Sequence, residues 1–461
     1  MTTQELRENL TGKSKNGFER ITQAQRAEME SYALRYRAFI DACKTEREAT
    51  AWTCAEAEKL GFVPFTYGMA TKPGDKIYLN NRGKSTILAV IGEKSLASGC
   101  NICASHVDSP RLDLKPNPLY EDTELAYLKT HYYGGIKKYQ WLARPLALHG
   151  VICMKDGTTA CVNLGEDESD PILMISDLLP HLAKDQMKKT LGEAVDAERM
   201  NLIVGSEPLE GESSELVKLH ILKLLNEKYG MVEADFLSAE LTAVPAGKSR
   251  EVGLDRSMLA AYGQDDRSCA FAEIDSILHI GTPTKTAVCI LADKEEIGSV
   301  GISGMQSFAF EYFLEGLCSA QGVPLLECFR NSFCLSADVS AAFDPCYPET
   351  CDRRNNAFFN HGVSIMKYTG SRGKSGSSDA SAEVMRHVRQ TLDGADVIWQ
   401  ISTLGKVNQG GGGTVACYMA NRNIPTVDAG VPVLSMHAPM EITSKLDCYE
   451  TMLACRAVYL A

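Results

Sequence analysis

The sequence predicts an α/β protein: a sheet covered by helices on both faces, built from both ends of the chain and interrupted by a long insertion. Three observations carry this expectation. From Gly253 to the C-terminus, short apolar runs alternate with helical patterns, the rhythm of a sheet with crossover helices. The segment before Asp113 supplies two helices, a hairpin and one further strand-like run. Composition then shifts, and residues 114–150 are rich in Tyr, Lys and Gly. A chain of 461 residues exceeds what one compact core usually holds. We therefore expect a discontinuous domain of residues 1–113 and 251–461, and an inserted domain of residues 114–250.

The elements follow in order. Ile21, Met29, Tyr32, Ala33, Tyr36, Phe39 and Ile40 recur at helical spacing over 21–43. Thr45-Glu46-Arg47-Glu48 opens a second helix that ends before Gly61. Lys76–Ile91 reads as a hairpin turned by Asn81-Arg82-Gly83-Lys84. Cys100–Ser105 is a short apolar run leading into His106. Within the insertion, Val151–Leu164 reads as a hairpin, Leu216–Tyr229 as a helix and Phe236–Val244 as a strand. Ser268–Leu278 and the stretches 308–320 and 378–392 are helical. Thr286–Ala292, Cys334–Ala337 and Pro425–Asp428 are strands.

The totals limit function. At 44% hydrophobic and 23% charged the chain is an ordinary globular protein. A net charge of -12 disfavours nucleic acid and anionic membrane surfaces as partners. No apolar run is long enough to span a bilayer. The polar N-terminus MTTQELRENLTGKSKNGFER lacks the apolar centre of a secretory signal, so a cytoplasmic location is expected. The 16 cysteines are mostly scattered. The single CxxC, Cys100 to Cys103, lies in a predicted strand, where residues three apart face opposite ways. It is read as core packing, like the other thiols, rather than as a metal or redox pair.

Five positions could carry chemistry, each at a strand end or helix start. His106-Val-Asp108 follows a strand, and period two puts both side chains on one side, where Asp108 can orient the imidazole. Alone, the pair also reads as a hydrogen-bonded core histidine. Gln264-Asp265-Asp266-Arg267 precedes a helix and reads either as a cap or as a carboxylate bridging two cations. Asp293-Lys-Glu295-Glu296 ends the 286–292 strand. It reads as a solvated turn, or as one carboxylate on a cation beside another free to move protons. Asp338 and His437 each follow a further apolar run. Ligands in open α/β sheets bind beyond the carboxyl ends of strands. Two His with three carboxylates are too many for one tetrahedral zinc. They suit two divalent ions roughly 3.5–4 Å apart, with zinc the default and cobalt or manganese the alternatives. Glu295 is then left as general base.

The segments Ala104–Arg111, Gly263–Arg267, Asp293–Gly298, Ser336–Asp338 and Ser435–His437 together resemble the aspartyl aminopeptidase / vacuolar aminopeptidase I family of dizinc metallopeptidases, in its bacterial aminopeptidase 1 branch. Their order and spacing match over nearly the whole chain. The resemblance implies a mixed-sheet α/β/α zinc-peptidase domain with a mainly β dimerisation domain inserted. It implies that His106, the bridging Asp265 and Asp338 bind one metal, and that Asp265, Glu296 and His437 bind the other. Glu295 would be the base and Asp108 the support of the site near His106. It further implies dimers assembling into a dodecamer, with His181 of Asp177-Leu-Leu-Pro-His181 reaching a neighbour's active site. Short peptides would be the substrates. The stretch Thr403–Thr414 departs from the family pattern: it is longer and glycine-rich where aspartyl-specific members carry a Pro-Cys-Gly-Thr-like loop. Lys374, Arg372 or Lys406 could read an acidic substrate side chain, the peptide carboxylate or only solvent.

The expected reaction is removal of N-terminal residues, with acidic ones the candidate preference, from short peptides by a water that two metals activate. A related dimetal deacylase of N-acyl amino acids needs the same residues and differs in rejecting a free α-amino group. A non-catalytic anion-binding module built on Gly405-Lys406 and Gly410–Gly413 lacks the order of the phosphate-loop motifs. An assembly protein whose shell matters more than its site is disfavoured by the intact ligand set.

Overall fold

The first long helix, Gln23–Ala42, starts at a capping box between Thr22 and Gln25 and buries Met29, Tyr32, Tyr36, Phe39 and Ile40. The next, Glu46–Lys59, repeats the device with Thr45 and Glu48. In this computed structural model, which describes residues 2–11, 15–211 and 213–461, the first packs with the helices Gln264–His279 and Lys445–Leu460, and the second packs on the first and on the strands Lys76–Asn81 and Ser85–Val90, with Trp52 reaching Phe271. Their shared core centres on Phe271, whose ring lies 5.2 Å from Phe39 and 5.7 Å from Tyr36. A second core, with Phe310, Phe313 and Phe329, lies under the helices Ala309–Ala320 and Leu325–Asn331.

Between the two cores runs a nine-stranded mixed sheet. Its order is Val63–Pro64, Lys76–Asn81, Ser85–Val90, Thr286–Ala292, Cys100–His106, Phe333–Ala337, Thr426–Gly430, Val363–Met366 and Trp399–Ser402. The four central strands, from Thr286–Ala292 to Thr426–Gly430, are mutually parallel. They are apolar on both faces because both faces are covered. Cys100 joins one core and Cys103 the other, as strand alternation requires. All 16 cysteines are free, and most are buried.

Residues 111–245 form a six-stranded antiparallel sheet in the order Thr159–Leu164, Leu146–Cys153, Ala239–Pro245, Arg111–Asp122, Leu125–Tyr133 and Leu202–Gly205. It has its own apolar cluster around Trp141, Leu202 and Phe236, with the helix Leu216–Tyr229 against it. The strand expected at 236–244 begins later, at Ala239, because Glu233–Ser238 closes into a 3-10 turn. A third sheet of five short strands includes Met258–Ala261, paired antiparallel with Glu441–Ser444.

Candidate active site

The strand order converts five distant motifs into one cluster. Parallel strands emit their C-terminal residues at one sheet edge. Ala292 pairs with His106, and Ser336 with Ala104. His106, the Asp293–Glu296 turn and Asp338 therefore leave the sheet side by side. The turn is sharp because Lys294 adopts left-handed backbone (φ 67) before a 3-10 turn at Glu295–Ile297. Asp265 and His437 arrive from the third sheet. The pairing of Ala261 with Glu441 brings their two chain segments together, and His437 itself has φ 63. Non-glycine residues in this region are sparse and collect at functional sites.

Asp265 lies at the centre. Its Oδ1 is 3.3 Å from His106 Nε2 and its Oδ2 is 3.2 Å from His437 Nε2. One carboxylate thus faces one imidazole with each oxygen. Two sets of ligand atoms lie within 4.8 Å of one another: His106, Asp265 and Asp338, and Asp265, Glu296 and His437. Glu296 Oε1 is 3.5 Å from His437 Nε2, and Glu295 Oε2 is 3.9 Å from His106 Nε2.

Support comes from a second layer. Asp108 accepts the backbone N–H of Glu295 (3.1 Å) and of Glu296 (3.2 Å), and its Oδ1 lies 3.3 Å from His106 Nδ1. It therefore holds the glutamate turn as well as the imidazole. Tyr133 donates its hydroxyl to Asp108 at 2.8 Å. The carbonyl of Gly135 lies 2.8 Å from His437 Nδ1, so that nitrogen carries a proton and Nε2 is the one turned toward Asp265 and Glu296. Tyr133 and Gly135 both lie within the 114–250 stretch. Glu441 accepts the N–H of Asp265 at 3.0 Å and of His437 at 2.7 Å.

The electrostatics favour a cation. Burial, then Asp265 beside it, pushes the Glu296 carboxyl well up. Burial, then Asp266, does the same to Asp338. Burial raises Glu295 to about 7, with His106 opposing and Asp108 and Asp265 adding. For Asp265 burial acts upward, but the His106 and His437 contacts win and hold it low. Glu296 Oε1 is buried and makes no hydrogen bond. Carboxylates crowded in a dry site, one oxygen orphaned, with two imidazoles aimed at the same centre, are the donor set a divalent metal takes. These residues fit the metals that the motifs imply.

The comparisons with known proteins agree. The model of the aminopeptidase I zinc metalloprotease (M18) family matches residues 39–459. The chain belongs to the M18 aminopeptidase family. It is 48% identical to a probable M18 family aminopeptidase 1 of Clostridium acetobutylicum, over 96% of this chain and 97% of that one. It superposes on the crystal structure of an M18 aminopeptidase from Thermotoga maritima with a TM-score of 0.93 at 42% identity, covering 97% and 99% of the two chains. The aminopeptidase I structure from Clostridium acetobutylicum gives 0.92 at 47% identity, covering 98% of this chain and 100% of that one. The protein is thus a hydrolase of the exopeptidase type, a member of a zinc metalloprotease family.

In this M18 aminopeptidase a cavity of about 360 Å³ opens over the cluster. Asp265, Glu295, Glu296, Asp338 and His437 form its acidic floor, and Met366, Leu404, Met436 and Val339 contribute apolar wall. None of the three residues expected to touch substrate, His181, Lys374 and Lys406, lines this cavity. Lys374 pairs with Asp379 at 3.1 Å, stacks on Tyr368 and lines, with Arg372 and Lys406, a smaller adjoining cavity. His181 is exposed and lines neither cavity. Sequence reasoning missed Glu441, Tyr133 and the Gly135 carbonyl. Glu441 opens an ordinary-looking strand, and Tyr133-Gly-Gly135 reads only as a turn.

Proposed function

We propose that the M18 chain is a two-metal aminopeptidase acting on short peptides with a neutral, apolar N-terminal side chain. The observation that carries the two-metal reading is the Asp265 carboxylate, one oxygen toward each histidine. His106 and Asp338 would complete one site with it, and Glu296 and His437 the other. When bound, the ions activate a water and polarise the scissile carbonyl. Glu295, outside both ligand sets but 3.9 Å from His106, takes the proton of that water and delivers it to the leaving amine. Asp108 keeps Glu295 and Glu296 turned in different directions by holding both backbone N–H groups. The walls exclude bulk water, and the acidic floor attracts the substrate's α-ammonium group.

The apolar wall supports the side-chain preference. Lining it are Met366, Leu404 and Met436, and no Lys or Arg joins them. An acidic side chain would have to reach Arg372 or Lys406 in the adjoining cavity. We read residues 1–113 and 251–461 as the catalytic domain and 114–250 as the oligomerisation domain. A structural neighbour of 21% identity, mApe1 of S. cerevisiae, is a dodecamer, and we propose a homo-oligomer here, with His181 facing a neighbouring copy. Among the described residues no helix is long and apolar enough to cross a membrane. The many buried free cysteines support a reducing, cytoplasmic setting.

The test is elemental analysis of wild type and Asp265→Ala, with a panel of amino-acid amides. The expected result is about two metals per chain, falling to one or none in the variant with loss of hydrolysis. Leu and Met amides should be cleaved faster than Asp and Glu amides. N-acyl amino acids should not be substrates. Wild type that takes up no zinc, cobalt or manganese sinks the two-metal reading. Faster cleavage of acidic amides sinks the preference alone.

A further inference from the structure

The antiparallel ladder between Met258–Ala261 and Glu441–Ser444 ends at the pair Ala261–Glu441. Beyond it both chains leave regular structure. Asp265 (φ -80, ψ 107) and Asp266 (φ -116, ψ 21) are both non-helical at the start of the helix Gln264–His279, and His437 is left-handed. Neither ligand segment is held by sheet hydrogen bonds, yet ligand atoms must be placed to within a few tenths of an ångström. One side chain spans the gap. Glu441 is buried and accepts the N–H of Asp265 with Oε2 and the N–H of His437 with Oε1. The two segments are 176 and 4 residues from it along the chain.

Glu441 is itself anchored. Its carbonyl accepts Gln264 Nε2 at 2.7 Å, and Gln264 Oε1 accepts the Thr443 hydroxyl at 2.6 Å. Both oxygens of this buried side chain are committed to the two backbone N–H groups, and a buried N–H left unpaired is costly. A glutamine of the same shape would offer one acceptor and turn an N–H₂ donor against the second N–H. Only a carboxylate accepts both.

We propose that Glu441 is a positioning residue, which holds Asp265 and His437 in register and so sets the affinity of the metal site they share. The inference rests on the two-metal reading. A chain that merely folds needs some tie here, whereas a metal site needs this one.

The experiment equilibrates the full-length enzyme in buffers of stepped free zinc and measures bound zinc by elemental analysis. Wild type, Glu441→Gln and Ser276→Ala are compared, with thermal midpoints and kcat and KM. Ser276→Ala is the control, since it removes a buried side-chain hydrogen bond, 2.8 Å to the Met452 carbonyl, that touches neither ligand segment. The expected result is at least tenfold weaker zinc uptake in Glu441→Gln, with kcat lowered more than KM is raised. Ser276→Ala should lower the midpoint and leave zinc uptake unchanged. Zinc curves of Glu441→Gln that superimpose on wild type overturn the role, as does equal weakening in both variants. If Glu441→Gln does not fold, Glu441→Asp replaces it. It keeps both acceptors on a shorter stem and should also bind zinc more weakly, and wild-type uptake there overturns the role. Wild type that binds no zinc fails the two-metal reading instead, a result distinct from all of these.

Discussion

Glu295 and Glu296 are adjacent carboxylates whose repulsion the fold accepts at the end of a buried strand. Their backbone N–H groups both point at Asp108, so the side chains splay apart. Glu296 turns toward Asp265 and His437, while Glu295 turns toward His106. The division predicts unequal mutants. Glu295→Gln should lose about 10²–10⁴-fold in kcat while keeping its metals, because it removes a proton carrier and not a ligand. Steady-state kinetics with elemental analysis on one preparation checks this, and near-normal turnover would reject the base. Gly134 is the other revealing residue. It is left-handed (φ 74), and a Cβ there would meet Glu296 Cβ and Oε2 at 3.3 Å. Gly134→Ala should cost about 1–2 kcal/mol of backbone strain and displace Glu296, lowering metal content. A variant with full metal content and wild-type kcat would show that the close approach is incidental.

At the scale of elements, the insertion is tied to the helix Glu46–Lys59 by a buried imidazole. His149 lies 2.7 Å from Glu48 and 3.1 Å from Glu166. Burial opposes its charge, but the two carboxylates outweigh burial and raise its pKa above the ordinary value. Both carboxylates are correspondingly lowered, despite their own burial. The folded state therefore binds the proton more tightly than the unfolded chain. His149 contributes its full stabilisation below the unfolded value of about 6.5, and loses it as pH rises through the raised folded value. His149→Gln should cost about 2 kcal/mol at pH 6 and progressively less as the pH is raised above neutrality. Denaturant midpoints of both proteins across that range give the measurement. A difference that grows with pH would contradict the assignment.

At the scale of the whole molecule, the surface is uneven. Leu182, Met187, Leu191 and Leu237 of the insertion are exposed at 69%, 76%, 61% and 72%. Three of them, Leu182, Met187 and Leu191, fall within ten residues of chain, and large apolar side chains left exposed in one segment mark an association surface. The full chain is expected to sediment as a homo-oligomer, and the double variant Leu182→Ser, Met187→Ser to shift toward smaller species. An unchanged distribution would remove this segment from the interface. The active cavity is a whole-molecule product too. The nine-stranded sheet supplies His106, Glu296 and Asp338, the five-stranded sheet Asp265 and His437, and the six-stranded sheet the Tyr133–Gly135 turn.

Much of this was legible in one dimension. Helical and strand periods located Gln23–Ala42, Glu46–Lys59, the 76–90 hairpin and the central strands, because burial imposes those periods on any sequence. Strand ends marked His106, Glu296, Asp338 and His437, and a helix start marked Asp265; each has a bland reading alone, and only their recurrence at such positions in one α/β domain pointed to a site. The helix Lys445–Leu460 escaped notice because it is buried nearly all round and shows no apolar stripe. Nothing local along the chain records which cavity a loop faces, so the placing of Lys374 and Lys406 on the adjoining cavity comes only with the fold. Residue types, local elements and family are all carried by the order of residues along the chain. Packing is what turns Asp265 toward both histidines, lets Glu441 tie Asp265 from 176 positions away, and brings the Gly135 carbonyl to His437 from 302 positions away. Those contacts are non-local. They depend on strand order and on packing between sheets, and no periodicity along the chain encodes either.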